Sequence, residues 1–565
     1  MIERVRPFSR GLVLGGTALV LVSCFLPWAT YAGFPGKMTL AGNPGGARLH
    51  VLLLALPMLL LLRGVNIAAA ARVGSAFLAA IVVLTALFIG YAGGGLVNDA
   101  YGMWIAVAGA AALLLGAWAL PDEGEQPAPA LPEASWRVPL EVLLTIGVAV
   151  VALVVFVVGL GIPTSLIASG NDHKLLGAIS LNDLTNEGEF LSFLLLVAGG
   201  ALMLGRLGVL KMLGGITRRH NRVLITAAVV VAAFFPFTQD GNGYSLRIAA
   251  SIGVFAAAAV GLNIVVGLAG LLDLGYIAFF GVGAYFAALV SGSTSSTIGV
   301  HLPFALVIVL GGLVSCVFGV LLGAPTLRLR GDYLAIVTLG FGEIFRITVN
   351  NLDGSAGPSL TNGPNGISRI PDLALGSFNF GDSHELFGVT LPFQANYYWL
   401  EIILIGAVMT AFLRLAESRV GRAWVAIRED ELAAAATGIN TTRLKLLAFA
   451  LGATLAGVAG TVDAHVVKVA EPNSFTFLES ALLLSAVILG GMGTVPGALL
   501  GATVLYLLPE KLRFLQDLRL LVFGIVLVLI MRFRPEGLVP SRRRQRELHE
   551  EGGADALSAP PGAPA

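Results

Sequence analysis

Residues 417–445 read ESRVGRAWVAIREDELAAAATGINTTRLK, a charged stretch set between apolar runs near 397–415 and 443–466. From Arg422 to Thr437 the composition favours helix, with alanines gathered late in the run. Gly438 follows as a residue suited to stop that helix in the left-handed conformation. Asn440 or Thr441 can then cap the next helix. The pattern predicts a short charged helix held at a fixed angle between two apolar spans, an element able to pass on a push from a partner. A solvated amphipathic connector has the same composition, and the local pattern alone leaves both readings open.

The flanking composition names the solvent. Of 565 residues, 56% are hydrophobic and only 12% are charged. Soluble domains carry about 25% charged residues, so this chain lacks the charge to cover a water-facing surface. A bilayer suits it, and each crossing needs roughly 20 mostly apolar residues. Thirty-five Lys and Arg against 34 Asp and Glu leave the net charge near zero, which excludes a global electrostatic case for nucleic acid. Cys24 and Cys316 both sit in apolar runs and read as small buried hydrophobes.

Lys and Arg beside short loops mark the cytoplasmic side. The basic start (Arg4, Arg6, Arg10) places the N-terminus inside, and the apolar run behind it reads as an uncleaved first helix rather than a signal peptide. Spans are expected near 11–30, 49–62, 73–92 and 102–120, followed by a cytoplasmic Pro/Ala-rich linker at 121–137. Further spans are expected near 138–161, 190–210, 222–239, 244–267, 273–291, 300–324, 332–350, 397–415 and 443–466. Lys211, Arg218, Arg219 and Arg222 fall inside, whereas the polar stretches 163–189 and 352–395 fall outside.

The tail after RFRPEGLVPSRRRQR should be cytoplasmic, so the chain must cross an even number of times from 443 to 534. The apolar stretch 477–509 therefore divides into two short segments, broken where Gly490, Gly491, Gly493, Pro496 and Gly497 disfavour helix. Such a break lines a wet path or forms a tight turn. The total comes to about sixteen crossings with both ends in the cytoplasm. The fold class is thus all-α, a polytopic transmembrane bundle with broken and short helices.

No GxxxxGK[ST] phosphate loop, HExxH or paired CxxC occurs, so no motif lets this chain hydrolyse ATP or hold a metal by itself. Glycine pairs at spacing four (Gly11/Gly15, Gly90/Gly94, Gly319/Gly323, Gly497/Gly501) read as close helix packing in lipid. Ionisable or polar side chains in or near spans, namely Asn263, Asp273, Glu343, Asp463, His465 and Glu479, are candidates for the translocation path, together with Gly491 and Gly493.

GRAWVAIREDELAAAATGI resembles the coupling loop of ATP-binding cassette importer permeases, in the version found in the LivM family of branched-chain amino acid permeases. The same family is suggested by GLNIVVGLAGLLDLGYIAFFGVGAY at 261–285, LRLRGDYLAIVTLGFGEIFRI at 327–347, GPNGISRIP at 363–371 and EPNSFTFLESALLLSAVILGGMGTVPGALLGA at 471–502. The ordered set covers residues 222–540. Asn362 stands where the family usually has Gly, and Asn tolerates the left-handed conformation.

The chain thus divides into a transmembrane extension (1–120), the linker, a further extension (138–221), a LivM-like domain (222–540) and a disordered cytoplasmic tail (541–565). The resemblance implies a multi-pass subunit of the inner or plasma membrane. Its implied partners are a second, LivH-like permease, two ATPase subunits that bind ATP and Mg, and an extracytoplasmic amino-acid-binding protein. It implies coupling through Gly421, Arg428, Glu429, Asp430, Glu431, Ala434 and Gly438. The rival readings are a urea or short-amide permease and a proton-coupled secondary transporter using Asp463 and His465.

Overall fold

Large apolar side chains that face outward set the architecture. Val309, Leu313 and Leu321 lie on one helix and are each more than half exposed, an arrangement that water penalises and lipid does not. The computed structural model describes residues 6–28, 46–63, 67–93, 99–121, 137–160, 187–239, 241–326, 332–355, 358–376, 378–386 and 388–511, and scattered positions from 521 to 539. Residues 122–136 and 541–565, which hold the expected linker and tail, lie outside the described residues. The chain divides into two compact units, Met1–Asp240 and Gly241–Ala565.

The first unit contains α1 (Ser9–Ser23), α2 (Ala47–Ala55), α3 (Ala68–Gly93), α4 (Tyr101–Ala119), α5 (Arg137–Leu160), α6 (Glu187–Arg206), α7 (Val209–Arg219) and α8 (Asn221–Phe234). Helix α1 packs on α4 through glycines, with Gly109 and Gly116 lying directly against α1 backbone and side chains. The expected span at 190–210 needs correction. Gly208 adopts a left-handed conformation (φ 74°) after α6, and the chain turns by 85° into α7. A left-handed glycine ends a helix, and Lys211, Arg218 and Arg219 give α7 a polar side that a spanning helix lacks. Glu141 of α5 is buried and accepts from His220 (3.1 Å) and Arg219 (3.4 Å) at the end of α7.

The second unit contains α9 (Gly243–Asn263), a π-turn (Ile264–Leu268), α10 (Tyr276–Val290), α11 (Phe304–Thr326), α12 (Asp332–Asn351) and α13 (Phe393–Glu417). After these come α14 (Arg419–Glu429), α15 (Glu431–Ala436), α16 (Thr441–Val467), α17 (Phe477–Gly490) and α18 (Val495–Lys511). Helix α9 is central. Its apolar window is 94% buried, because small residues such as Ala256–Ala259 let α13, α16 and α18 close on it from several sides. Helices α11 and α16 pack along Gly312, Gly319 and Gly323, which face Val458, Ala453 and Leu446. The Ser315 hydroxyl of α11 donates to the Phe279 carbonyl of α10 at 3.0 Å. Short antiparallel pairs β1 (Ala374–Leu375) with β2 (Phe378–Asn379), and β3 (His384–Leu386) with β4 (Val389–Leu391), fold the polar segment before α13.

Among the described residues, nine helices are long and apolar enough to cross a membrane, or ten if the bent α6–α7 pair counts as one span. Residues expected to span at 49–62 and 273–291 form apolar helices of 10–17 residues instead, and 477–509 divides into two such short helices, as the sequence leads one to expect. Glycine and proline shorten the last of these, and α17 and α18 fold back on each other. Gly490 lies against the Gly497 carbonyl and Gly501 against that of Ala486. The break at 491–494 is therefore a tight turn between two half-length helices.

Candidate coupling site

The segment 417–440 is built from three caps. The Ser418 hydroxyl accepts from Gly421 N (3.1 Å) and starts α14. The Asp430 carboxylate accepts from Leu432 N (2.8 Å) and Ala433 N (2.9 Å) and starts α15. The Asn440 side chain accepts from Arg443 N (3.1 Å) and starts α16. Each satisfies a main-chain donor that a helix start leaves free. Gly438 ends α15 with φ 88°, in the conformation expected from the sequence.

The single helix expected over 422–437 is instead two. Asp430 has extended backbone (φ −150°, ψ 106°), because its short carboxylate competes for nearby amides and favours a cap over a helix interior.

The expected coupling residues divide by the way they face. Glu429, Asp430 and Gly438 are exposed, beside Leu432 at 69% exposure and Ala433, Ala435 and Ala436. The others turn inward. Gly421 packs on the last carbonyls of α13, and Ala434 is buried. Glu431 pairs with Lys445 of α16 at 2.6 Å. Arg428 Nη1 donates to the Gly267 carbonyl at 2.5 Å. Trp424 is fully buried, and its indole N–H donates to the Leu444 carbonyl at 2.7 Å. These contacts tie the segment to α16 and to the π-turn after α9.

Of the candidate path residues, three come together. Asn263, fully buried at the end of α9, accepts from Gly493 N (2.8 Å) and donates to the Thr494 carbonyl (2.9 Å). Gly491 (φ 119°) and Gly493 (φ 77°) form the α17–α18 turn itself. Of the others, Asp463 and Glu479 lie close enough to interact electrostatically, and the rest lie apart. Asp273, buried before α10, accepts from Gly275 N at 2.9 Å. Glu343 pairs with Arg346 one turn along α12, and Glu479 lies in the first turn of α17. His465 bonds the Ser291 hydroxyl (3.2 Å) and the Pro371 carbonyl (3.0 Å). Two positions away on the same helix, Asp463 cannot share its face.

Sequence reasoning missed the Arg428–Gly267 bond, the π-turn and Glu401. The last is buried in α13, and both its carboxyl oxygens lack a hydrogen-bond partner among the described residues. The same residues contain no cluster of His, Cys, Asp and Glu suited to a metal.

Residues 244–531 match the family profile described as branched-chain amino acid transport system / permease component. The chain is 41% identical over 340 residues to the high-affinity branched-chain amino acid transport system permease protein LivM of Salmonella typhimurium, covering 58% of this chain and 77% of that one. Its identity to the Escherichia coli LivM protein is 39%, with the same coverage. The LivH permease protein of Salmonella typhimurium is 35% identical over 147 residues, which cover 26% of this chain and 46% of LivH. No solved structure matches the chain. With the profile spanning half its length and LivM matched over most of its own, this multi-pass helical chain belongs to the family of branched-chain amino acid transport permease components.

Proposed function

We propose that the chain is a permease subunit of an ATP-binding cassette importer that moves branched-chain amino acids across the inner or plasma membrane into the cytoplasm. The observation that carries this reading is the 41% identity to LivM over 77% of that protein's length. Relatives named LivM, LivH and BraD all carry branched-chain amino acid transport in their names, which favours that substrate over urea or short amides. The similarity to both LivM and LivH suits pairing with a second, homologous permease.

Two ATPase subunits would bind and hydrolyse ATP with Mg, and an extracytoplasmic binding protein would deliver substrate. Both termini would lie in the cytoplasm, with residues 417–440 on the same side. The exposed face of α14–α15, made of Glu429, Asp430, Leu432 and the alanines, would dock on an ATPase subunit. Its apolar centre and charged rim have the composition of a protein interface.

The test is uptake of labelled leucine by vesicles holding the complex of permeases and ATPases, with the binding protein outside. ATP-dependent uptake supports the reading. Uptake driven by a proton gradient without ATP contradicts it.

A further inference from the structure

We propose that Arg428, Gly267 and Asn263 form the mechanical link that carries movement of the 419–438 segment to the α17–α18 turn. This rests on the reading that the segment docks on an ATPase subunit. The contacts form one continuous chain. Arg428, at the end of α14, bonds the Gly267 carbonyl at 2.5 Å, and its side-chain stem packs on Gly270, which is left-handed with φ 71°. Gly267 belongs to the π-turn that directly continues α9 beyond Asn263. Asn263 in turn holds both Gly493 N and the Thr494 carbonyl.

The same turn is also bonded to a strap from the C-terminal part of the chain. Leu538 N and Val539 N donate to the Leu489 and Gly490 carbonyls, at 2.7 and 2.9 Å. The Thr494 hydroxyl bonds the Val539 carbonyl at 3.2 Å.

The turn is thus held both by the strap and by Asn263. A π-turn is a local irregularity often found at functional sites. Here it widens the end of α9, where the last helical carbonyls lack intrahelical partners, so that one of them can take the Arg428 guanidinium. A shift of α14 pulls on that carbonyl, and the backbone from 263 to 267 transmits the pull to the turn. The half-helices α17 and α18 stack on each other through glycines and would move as one hairpin. Asn263 and Arg428 are positioning residues in this link, since neither is assigned to touch substrate.

The experiment compares leucine imported per ATP hydrolysed by the reconstituted complex, using the Asn263→Ala, Arg428→Ala, Arg428→Lys and Leu432→Arg variants. Asn263 is fully buried, so its variant cannot disturb a docking surface directly. With ATPase subunits still bound and ATP still hydrolysed, Asn263→Ala and Arg428→Ala should import roughly tenfold less leucine per ATP, the scale of a coupling loss. Arg428→Lys, which keeps a donor for the Gly267 carbonyl, should recover part of it.

An unchanged leucine-to-ATP ratio in Asn263→Ala or Arg428→Ala overturns the link. Loss of bound ATPase in Arg428→Ala, with full coupling in Asn263→Ala, assigns Arg428 to docking and also overturns it. Should Asn263→Ala not accumulate, the Arg428 pair decides by the same ratio. The docking reading is scored separately by Leu432→Arg, which should release the ATPase subunits and does not touch the link.

Discussion

Arg428 and Gly267 stand 161 positions apart, yet the guanidinium of the first donates to the main-chain carbonyl of the second at 2.5 Å. The bond joins the charged segment between two long helices to the end of the most buried helix in its unit. A charged donor on a partly buried carbonyl contributes about 1.5–3 kcal/mol. Arg428→Ala should therefore lower the unfolding midpoint of the purified complex in detergent, with Arg428→Lys in between. A midpoint equal to wild type in both would mean that the bond adds nothing.

Asp430 is tested by its cap. Asp430→Ala removes the acceptor for Leu432 N and Ala433 N and should cost about 1 kcal/mol of local helix stability. Asp430→Asn keeps an acceptor and should cost less. Amide hydrogen exchange read at residues 432–436 checks the order of the three proteins.

At the α17–α18 turn the backbone itself is tested. Gly493→Ala places a Cβ at φ 77° and should destabilise by about 1–2 kcal/mol. At Asn362 (φ 63°) the expectation reverses, since Asn362→Gly relaxes the same conformation and should match or exceed wild type. Thermal unfolding of each variant measures both effects.

Much of this was legible in the sequence, where a residue's own chemistry decides the local backbone. Gly438 adopts the left-handed conformation, Asn440 caps α16, and the glycines and proline near 490–497 divide the apolar stretch into two helices. Asp430 shows the limit of a composition argument. The alanines around it favour helix, but one carboxylate within reach of two amides splits the run. The 85° bend after Arg206 was hidden because positive charge in 211–222 reads equally as a loop or as the polar side of a helix. Asn263 carried a visible signal, an amide in an apolar span, but its partners 230 positions away did not. Hydrogen bonds between distant residues leave no periodicity to read.

Glycine packing gives a contrast between sites. Gly457 faces the Ser315 side chain and the Gly311 carbonyl in the α11–α16 interface, whereas a side chain at Gly11 would enter open space. Gly457→Val should lose about 1–3 kcal/mol or more to overpacking, while Gly11→Val should be tolerated. The yield of monodisperse protein after extraction separates the two.

The central claim is that the 419–438 segment receives the work of ATP hydrolysis. Its most direct test is leucine uptake and ATP hydrolysis in vesicles carrying the complex with Asp430–Ala436 deleted. The account predicts a permease that still inserts in the membrane but imports no leucine and no longer stimulates its ATPases. Undiminished uptake by the deleted protein would contradict it.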